Sequence, residues 1–312
     1  MYTVRSLTPL DFNHLNGLYA ASFGTNFTEI NFQEKYFQDG ALNAVGMLAL
    51  DPNGQPAAYY GVFKCTLVFD GTTYLAAQSG DTMTHPNHQK RGLFTLLARA
   101  VFEECKKQSI ALVFGFPNAQ SYPGFVHKLN WNFAGNMCRW VLQTGGLPLC
   151  ELASKFPSAQ GTYQRFARQK LTPFSSPSAP QDPTPFEPFG ARGFLRRSPQ
   201  QWESLAAQTG VHVVQINGWE LLIKLENHLI VGAVGYRSAA DTASLFSAIK
   251  QLAKRVGASK AVLMFSPNHW LTPLLNAELP CSEGLPIGFL NLTSSALDFS
   301  EVAISYSDFD TF

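Results

Sequence analysis

The residues best suited to chemistry lie in one short loop. His85-Pro86-Asn87-His88-Gln89-Lys90-Arg91-Gly92-Leu93-Phe94 follows a strand-like run, Thr73–Thr84, and opens into a helix-like one, Phe94–Gln108. A helix start exposes N–H groups without intrahelical acceptors and carries partial positive charge, and a glycine lets the backbone fold closely around an anion. Lys90 and Arg91 add charge and the loop holds no carboxylate, so the arrangement suits a diphosphate. A Walker loop is excluded because the GK[ST] ending is missing. A dinucleotide fingerprint is excluded by the single glycine and the lack of an acid placed for a ribose. The same residues also read as a solvated basic turn whose glycine serves geometry alone.

The elements that must position this loop show in the hydrophobic pattern. Tyr2–Leu7, Val45–Leu50, Ala57–Phe69, Thr73–Thr84, Ile110–Phe116 and Phe133–Leu142 read as strands, with Asp51-Pro52-Asn53-Gly54 and Asp70-Gly71 as turns. Asp11–Phe23 reads as a helix with its acid at the N-cap, and Phe32–Gln38 and Ser121–Leu129 as short helices. In Phe94–Gln108 the stripe Leu96, Leu97, Ala100 and Val101 predicts the buried face. Strands in runs with helices interspersed predict an α/β or α+β fold around a mixed central sheet.

Composition narrows the classes of function. With 23 basic and 22 acidic residues the net charge is +1, which argues against nucleic-acid binding through a basic face. The five cysteines, at 65, 105, 138, 150 and 281, form no CxxC pair and read as free thiols. No His/Cys/Asp cluster has metal-ligand spacing, and no metal is expected. The start lacks a signal peptide's apolar core, and no apolar run nears the about 18 residues of a membrane span. These features predict a soluble cytoplasmic protein.

Thr172–Gly190 holds six prolines and reads as an extended linker. It divides the chain into residues 1–171, 172–190 and 191–312. A shift of 150 positions lays Ile110–Asn118, IALVFGFPN, on Lys260–Asn268, KAVLMFSPN, and Phe94–Gln108 over the helical stretch Ser244–Val256. The halves are therefore expected to be two copies of one fold. The second has no basic glycine loop before its helix, only Gly235-Tyr236-Arg237-Ser238-Ala239-Ala240-Asp241, so only the first should bind the anion.

Gln89, Gly92 and Phe94 fall on the Q/R-x-x-G-x-G/A pattern of the GNAT N-acyltransferase superfamily, although Phe94 stands where small residues are usual. His85-Pro86 at the loop entry, Asn118 after the next strand, and Phe125–Trp131, FVHKLNW, extend the resemblance. The whole chain resembles tandem members with a degenerate second unit, and the wording of its motifs resembles GNAT enzymes of bacterial polysaccharide loci. The resemblance implies acetyl-CoA or another acyl-CoA as co-substrate. Its pyrophosphate would lie on the amides of Gln89, Lys90, Arg91, Gly92, Leu93 and Phe94, and its pantetheine arm on the backbone of Met83 and Thr84 and near Asn118. The reaction implied is attack of a small-molecule amine on the thioester, an amino sugar or its nucleotide-linked form being the acceptor suggested. An N–H near Thr82 or Met83 would serve the oxyanion.

The family's base position holds Gln78, and its usual acid, a tyrosine in FVHKLNW, is Val126. Asp81 is the nearest carboxylate and the candidate base, but a regular strand would turn it to the face opposite Gln78 unless a bulge intervenes. Tyr122, one helical turn before Val126, is the candidate acid. These vacancies leave a second reading: a non-catalytic GNAT-fold module that binds acyl-CoA and regulates or assembles. His85 and His127 read as solvated loop residues, Cys105 as a buried thiol, and Tyr59, Tyr60 and Trp131 as core.

Overall fold

A computed structural model of the chain describes all residues except 27, 39, 176–185, 237–241 and 295–296. In chain order the strands and helices are β1 Thr3–Ser6, α1 Phe12–Phe23, α2 Glu29–Tyr36, β2 Phe37–Gln38, β3 Ala41–Leu42, β4 Ala44–Leu50, β5 Pro56–Phe69, β6 Thr72–Thr84, α3 Leu93–Lys107, β7 Leu112–Gly115 and β8 Asn132–Gln143. There follow α4 Leu149–Lys155, α5 Pro157–Leu171, β9 Gly193–Arg196, α6 Pro199–Ala207, β10 Val211–Ile216, β11 Trp219–Leu225, β12 Leu229–Tyr236, α7 Thr242–Val256, β13 Lys260–Phe265, α8 Thr272–Glu278, β14 Ser282–Asn291 and β15 Val302–Ala303. The fold is mixed α/β, as the hydrophobic pattern predicts.

Contacts divide the chain into two compact units, Met1–Gly135 with Leu285–Ser300, and Asn136–Gly284 with Glu301–Phe312. This is not the division expected at the proline-rich segment, because β8 and β14 each cross from one unit into the other. An apolar strand cannot leave its edge bare. In the first unit β14 covers β7, from Gly288 opposite Gly115 to Asn291 opposite Leu112. In the second, β8 covers β13, from Lys260 opposite Gln143 to Phe265 opposite Cys138. Sequence announces a strand but not the edge it will cover. Residues 176–185 of the expected linker lie outside the described residues; after them, Phe186 is buried against Trp202 at 5.1 Å between ring centroids.

In the first unit the strand order is β1-β4-β5-β6-β7-β14. β5 and β6 form a long hairpin over Asp70-Gly71, whose φ angles of 47° and 76° are those of a tight primed turn. Tyr59 and Tyr60 at the middle of β5 point to opposite faces, and each anchors a core. One face carries Tyr60, Val62 and Ala77 against Leu97, Val101 and Phe102 of α3, with Phe125 and Trp131. The other carries Leu48, Tyr59, Phe63 and Met83 against Leu15 and Leu18 of α1 and Phe32 and Tyr36 of α2.

The buried stripe of α3 is Leu93, Leu97, Ala98, Val101, Phe102 and Cys105, while Leu96 is 51% exposed. The expected stripe was therefore one position out of phase on the turn that includes Leu96. α2 starts and ends earlier than its apolar pattern suggests, because Phe37–Gln38 pairs with Ala41–Leu42 instead. At the start of α1, Asp11 makes no cap hydrogen bond; its buried carboxylate accepts from Arg5, Thr8 and His14.

The second unit has the strand order β8-β13-β12-β11-β10. Leu221 and Ile223 of β11 join Trp140, Tyr163, Leu245 and Leu252 on one face, and Leu222 joins Trp202, Ile230 and Phe312 on the other. Helix α6 is fixed by a capping box, Ser198 with Gln201, and by Pro199 in its first turn.

Candidate functional site

Helix α3 begins at an N-cap that has no side chain to offer. Gly92 holds φ 77°, Lys90 two residues earlier holds φ 61°, no side chain caps the helix, and its first turn has no acid. Alternating left-handed residues turn successive N–H groups to one side and make an anion-binding concavity. The sequence-predicted cradle Gln89–Phe94 is thus continuous and, apart from Leu93 and the partly buried Phe94, exposed. A Cβ at Gly92 would meet nothing within 4 Å, so the glycine is there for its backbone conformation.

The two cations of the loop differ. Arg91 donates to the Tyr2 hydroxyl at 3.1 Å and to the Asn87 carbonyl at 3.1 Å. Tyr2 in turn bonds His88 Nδ1 at 2.9 Å, so Arg91 belongs to a small network that braces the loop. Lys90 has no protein partner among the described residues and is exposed. Phe94 does not point into the cradle. Its ring packs on Tyr60 and Phe125, at 5.8 and 5.2 Å, over Gly124, where a Cβ would come 2.9 Å from the ring. The large residue in a usually small position is matched by a glycine across from it.

Beside the cradle the sheet opens. β6 and β7 run parallel and pair only from Ala76–Leu112 to Gln78–Phe114, yet β6 continues to Thr84. His85 N–H donates to Ala57 O, and backbone groups alternate along a strand. The N–H and C=O of Thr84 and of Thr82 therefore point to the open side, and those of Met83 point to β5. Of the two residues expected to meet a pantetheine arm, Thr84 has its backbone on that side.

Between these points β6 carries a bulge. Tyr59 pairs with Met83 and Gly61 with Gly80, so Gly80–Met83 spans one residue more than its partner strand. Asp81 takes up the slack at φ 50° and turns to the face of Gln78, Phe63 and α2, the face a regular strand would deny it. There it accepts from Lys35 Nζ at 2.7 Å and from the Tyr36 hydroxyl at 2.9 Å, and its side chain is 8% exposed. Burial holds the Tyr36 phenol well above its ordinary pKa, with Tyr59 and Asp81 adding to the shift, so it stays a donor. Tyr59 lies across Gly46 and Gly61, where a Cβ would fall 2.5 and 2.0 Å from its hydroxyl. Two glycines thus make room for a buried polar group within an otherwise apolar cluster.

Sequence reasoning singled out Asp81 but missed Lys35, Tyr36 and Tyr59 as its surroundings. A Lys-Tyr pair at the end of a short helix is no signal by itself; Gly46 and Gly61 inside strands were the available hint.

Asn118 and Tyr122 come together in the turn after β7. Asn118 Oδ1 accepts from the N–H groups of Gln120 and Ser121, both at 3.0 Å, and Tyr122 N–H donates to Asn118 O at 2.9 Å. The Tyr122 ring meets Phe133 edge-on at 6.2 Å, and its hydroxyl is not among the donors to Asp81. Cys105 is fully buried, and burial pushes its thiol up to about 12, which removes it as a nucleophile. His85 caps the turn after β6 by accepting from Asn87 N–H at 3.2 Å.

The second unit also holds a short parallel pair. β12 and β13 run parallel and pair only from Leu229–Ala261 to Val231–Leu263. Beyond that point the chain's own end sits on them. Ser266 N–H donates to Ile304 O at 2.9 Å, Ile304 N–H to Ser266 Oγ at 2.8 Å, Phe265 bridges Ser305, and the Phe312 ring covers Gly232. Residues 237–241, before α7, lie outside the described residues.

Known proteins share this architecture. A probable N-acyltransferase from Enterococcus faecalis matches over 96% of this chain and 74% of its own, with TM-score 0.63 and 11% identity. A GCN5-related N-acetyltransferase from Anabaena variabilis matches over 94% and 73%, with TM-score 0.59 and 14% identity. A fungal GCN5-related glucosamine N-acetyltransferase region matches over 93% of this chain and 38% of its own, with TM-score 0.53 and 13% identity. No curated protein matches the chain in sequence. Residues 3–134, which carry the cradle, the bulge and the open strand edge, match the model of the acetyltransferase (GNAT) domain.

Proposed function

We propose that the protein is an acyl-CoA-dependent N-acyltransferase that moves an acetyl group from acetyl-CoA to the primary amine of a small molecule. The observation that carries this is one juxtaposition: an uncapped helix start beside a strand whose edge lies open from Ser79 to Thr84. The amides of Gln89–Phe94 suit a diphosphate, and Lys90 supplies the cation nearest at hand. The open backbone of Thr82 and Thr84 suits the amides of a pantetheine arm, which pairs as an added strand.

The thioester carbonyl then lies by the bulge. Thr82 N–H donates to the developing oxyanion, and Asp81 accepts the proton of the attacking amine. Tyr122 or solvent returns a proton to the departing thiolate. The acceptor we propose is an amino sugar, free or nucleotide-linked, and the compartment we propose is the cytoplasm. The second unit is a degenerate copy, supported by the succession β10-β11-β12-α7-β13, which follows that of β4-β5-β6-α3-β7, and by the parallel pair each contains. Its own C-terminal residues stand where the first unit has an open edge.

One observation favours a second reading, a binding module without turnover: Asp81 is already engaged by Lys35 and Tyr36. Thiol release from acetyl-CoA, measured across amino sugars, amino acids and polyamines, separates the two. Release with an amine supports the enzyme; saturable binding of acetyl-CoA with no release above the chemical background for any amine refutes it.

A further inference from the structure

The strongest unassigned feature is the amine that already occupies the candidate base. Lys35 Nζ lies 2.7 Å from Asp81 Oδ1 and 5.1 Å from the centroid of the Phe63 ring, and its side chain is 22% exposed. We propose that Lys35 is an acceptor in its own right: the protein acylates Lys35 in cis from acyl-CoA. This rests on the function proposed above and names a substrate of that same site.

A direct-attack acyltransferase needs a primary amine within hydrogen-bond reach of its base and beside its oxyanion donor. Lys35 meets the first condition at 2.7 Å. The second follows from sequence, since the base is Asp81 and the open N–H belongs to Thr82. The cation–π contact and the ion pair hold the terminal amine to a narrow range, which lowers the entropic cost of attack. An exposed surface lysine such as Lys106 has an ion pair, with Glu103 on α3, but no open strand N–H beside that carboxylate.

The step balances without a further reagent. The Lys35 ammonium gives one proton to the Asp81 carboxylate, and the neutral amine attacks the thioester carbonyl carbon. The C–N bond forms and the C–S bond breaks. The nitrogen loses its second proton to solvent and the thiolate takes the proton held by Asp81. The products are an Nε-acyl-lysine, free CoA thiol and one proton. Acylation also removes the charge of Lys35 from Asp81, which is then open to an external amine.

The test uses the full-length protein with acetyl-CoA alone, followed by intact mass and peptide mapping, with binding of CoA recorded in parallel as a rise in melting temperature. The expected result is up to one acetyl group per chain, on Lys35, at a rate per molecule that does not change when the protein is diluted tenfold. Asp81→Asn should lower that rate at least tenfold while the CoA-induced shift persists. Lys35→Arg, which keeps the charge and the pairing, should abolish labelling and leave the fold's melting temperature close to that of the parent. Acetyl groups spread over exposed lysines, or a labelling rate proportional to protein concentration, would overturn the proposal. So would an unlabelled Lys35 in a protein that binds CoA and acetylates added amines, and that outcome leaves the acyltransferase reading intact. A protein that shows no CoA-induced shift defeats both.

Discussion

Replacing Asp81 by asparagine separates the work of this carboxylate in stability from the part in catalysis proposed for it. The substitution keeps shape and removes charge. It weakens one charge-assisted hydrogen bond, from Lys35 at 2.7 Å, and turns the bond from Tyr36 at 2.9 Å into a neutral one. A hydrogen bond to a charged group contributes about 1.5–3 kcal/mol. Lys35 is 22% exposed and can turn to water, so the lower end applies, roughly 1–2 kcal/mol. Against a total stability of about 5–15 kcal/mol, such a loss leaves nearly every molecule folded and moves the melting temperature by only a few degrees. A general base contributes about 10²–10⁴ in rate, or roughly 3–5 kcal/mol of barrier. Turnover of acetyl-CoA with a saturating amine should therefore fall at least a hundredfold in Asp81→Asn, with the affinity for CoA unchanged. A variant that retains a third or more of the parental rate removes Asp81 from the mechanism.

Three further outcomes follow from the geometry. Because Arg91 is committed to Tyr2 and Asn87 while Lys90 is not, Lys90→Ala should weaken CoA binding about three- to tenfold, less so as salt is raised, and Arg91→Ala should chiefly lower the melting temperature; calorimetric titration at two ionic strengths decides it, and equal losses of affinity would contradict the assignment. Gly124→Ala sets a Cβ 2.9 Å from the Phe94 ring and should cost about 1–3 kcal/mol, a cost that Phe94→Leu in the same chain should largely relieve, as a double-mutant cycle by chemical denaturation would show. His269 is buried and its pKa is pushed down to about 3 by burial, so the folded state refuses a proton that the unfolded state takes up near pH 6.5. Its contribution to stability is complete above pH 6.5 and declines as the pH falls from there toward about 3, by on the order of 2 kcal/mol at pH 5, and His269→Gln should flatten that limb in pH-dependent denaturation.

The cradle was legible because its cause is local. A basic loop with one glycine before an apolar periodicity needs no distant partner to be recognised, and Gly92 stands at the N-cap of α3 with the φ that only glycine adopts at no cost. The hairpin over Asp70-Gly71 was legible for the same reason. Asp81 shows where local reasoning stops. Its residue type and position could be read, but its direction depends on a bulge, and the bulge depends on Tyr59 and Gly61 in another strand. Lys35 reaches it from 46 residues away, with nothing in the intervening sequence to announce the contact. Pairing partners were hidden on a larger scale too: β14 was not among the strands read from the pattern, and its place beside β7 follows only from an apolar edge that nothing nearer in sequence covers.

The two parallel pairs allow the role of the open edge to be argued by contrast. Each stops after three residues, at Gln78–Phe114 in one unit and Val231–Leu263 in the other, so a short parallel pair is not peculiar to the first unit. What differs is the use of the exposed backbone. In the second unit Ser266 bonds Ile304 in both directions, Phe265, Phe312 and a His269 that burial keeps uncharged pack there, and the Asp308 carboxylate, paired with Arg197, accepts from Ser305 N–H, so that backbone and charge alike are satisfied within the chain. In the first unit the corresponding strand carries a bulged carboxylate with a lysine on it, beside a loop of cations. An edge stabilised only for folding is closed by the chain itself, as the second is. An edge left with its N–H groups open beside buried charge lowers stability unless a ligand completes it. Saturating CoA should therefore raise the melting temperature through the first unit, and hydrogen exchange should slow at Thr82, Thr84 and the amides of Gln89–Phe94 while β12 and β13 remain as they were. Protection that appears in both units, or in neither, would mean that the open edge is an accident of the strand plan and not the seat of binding.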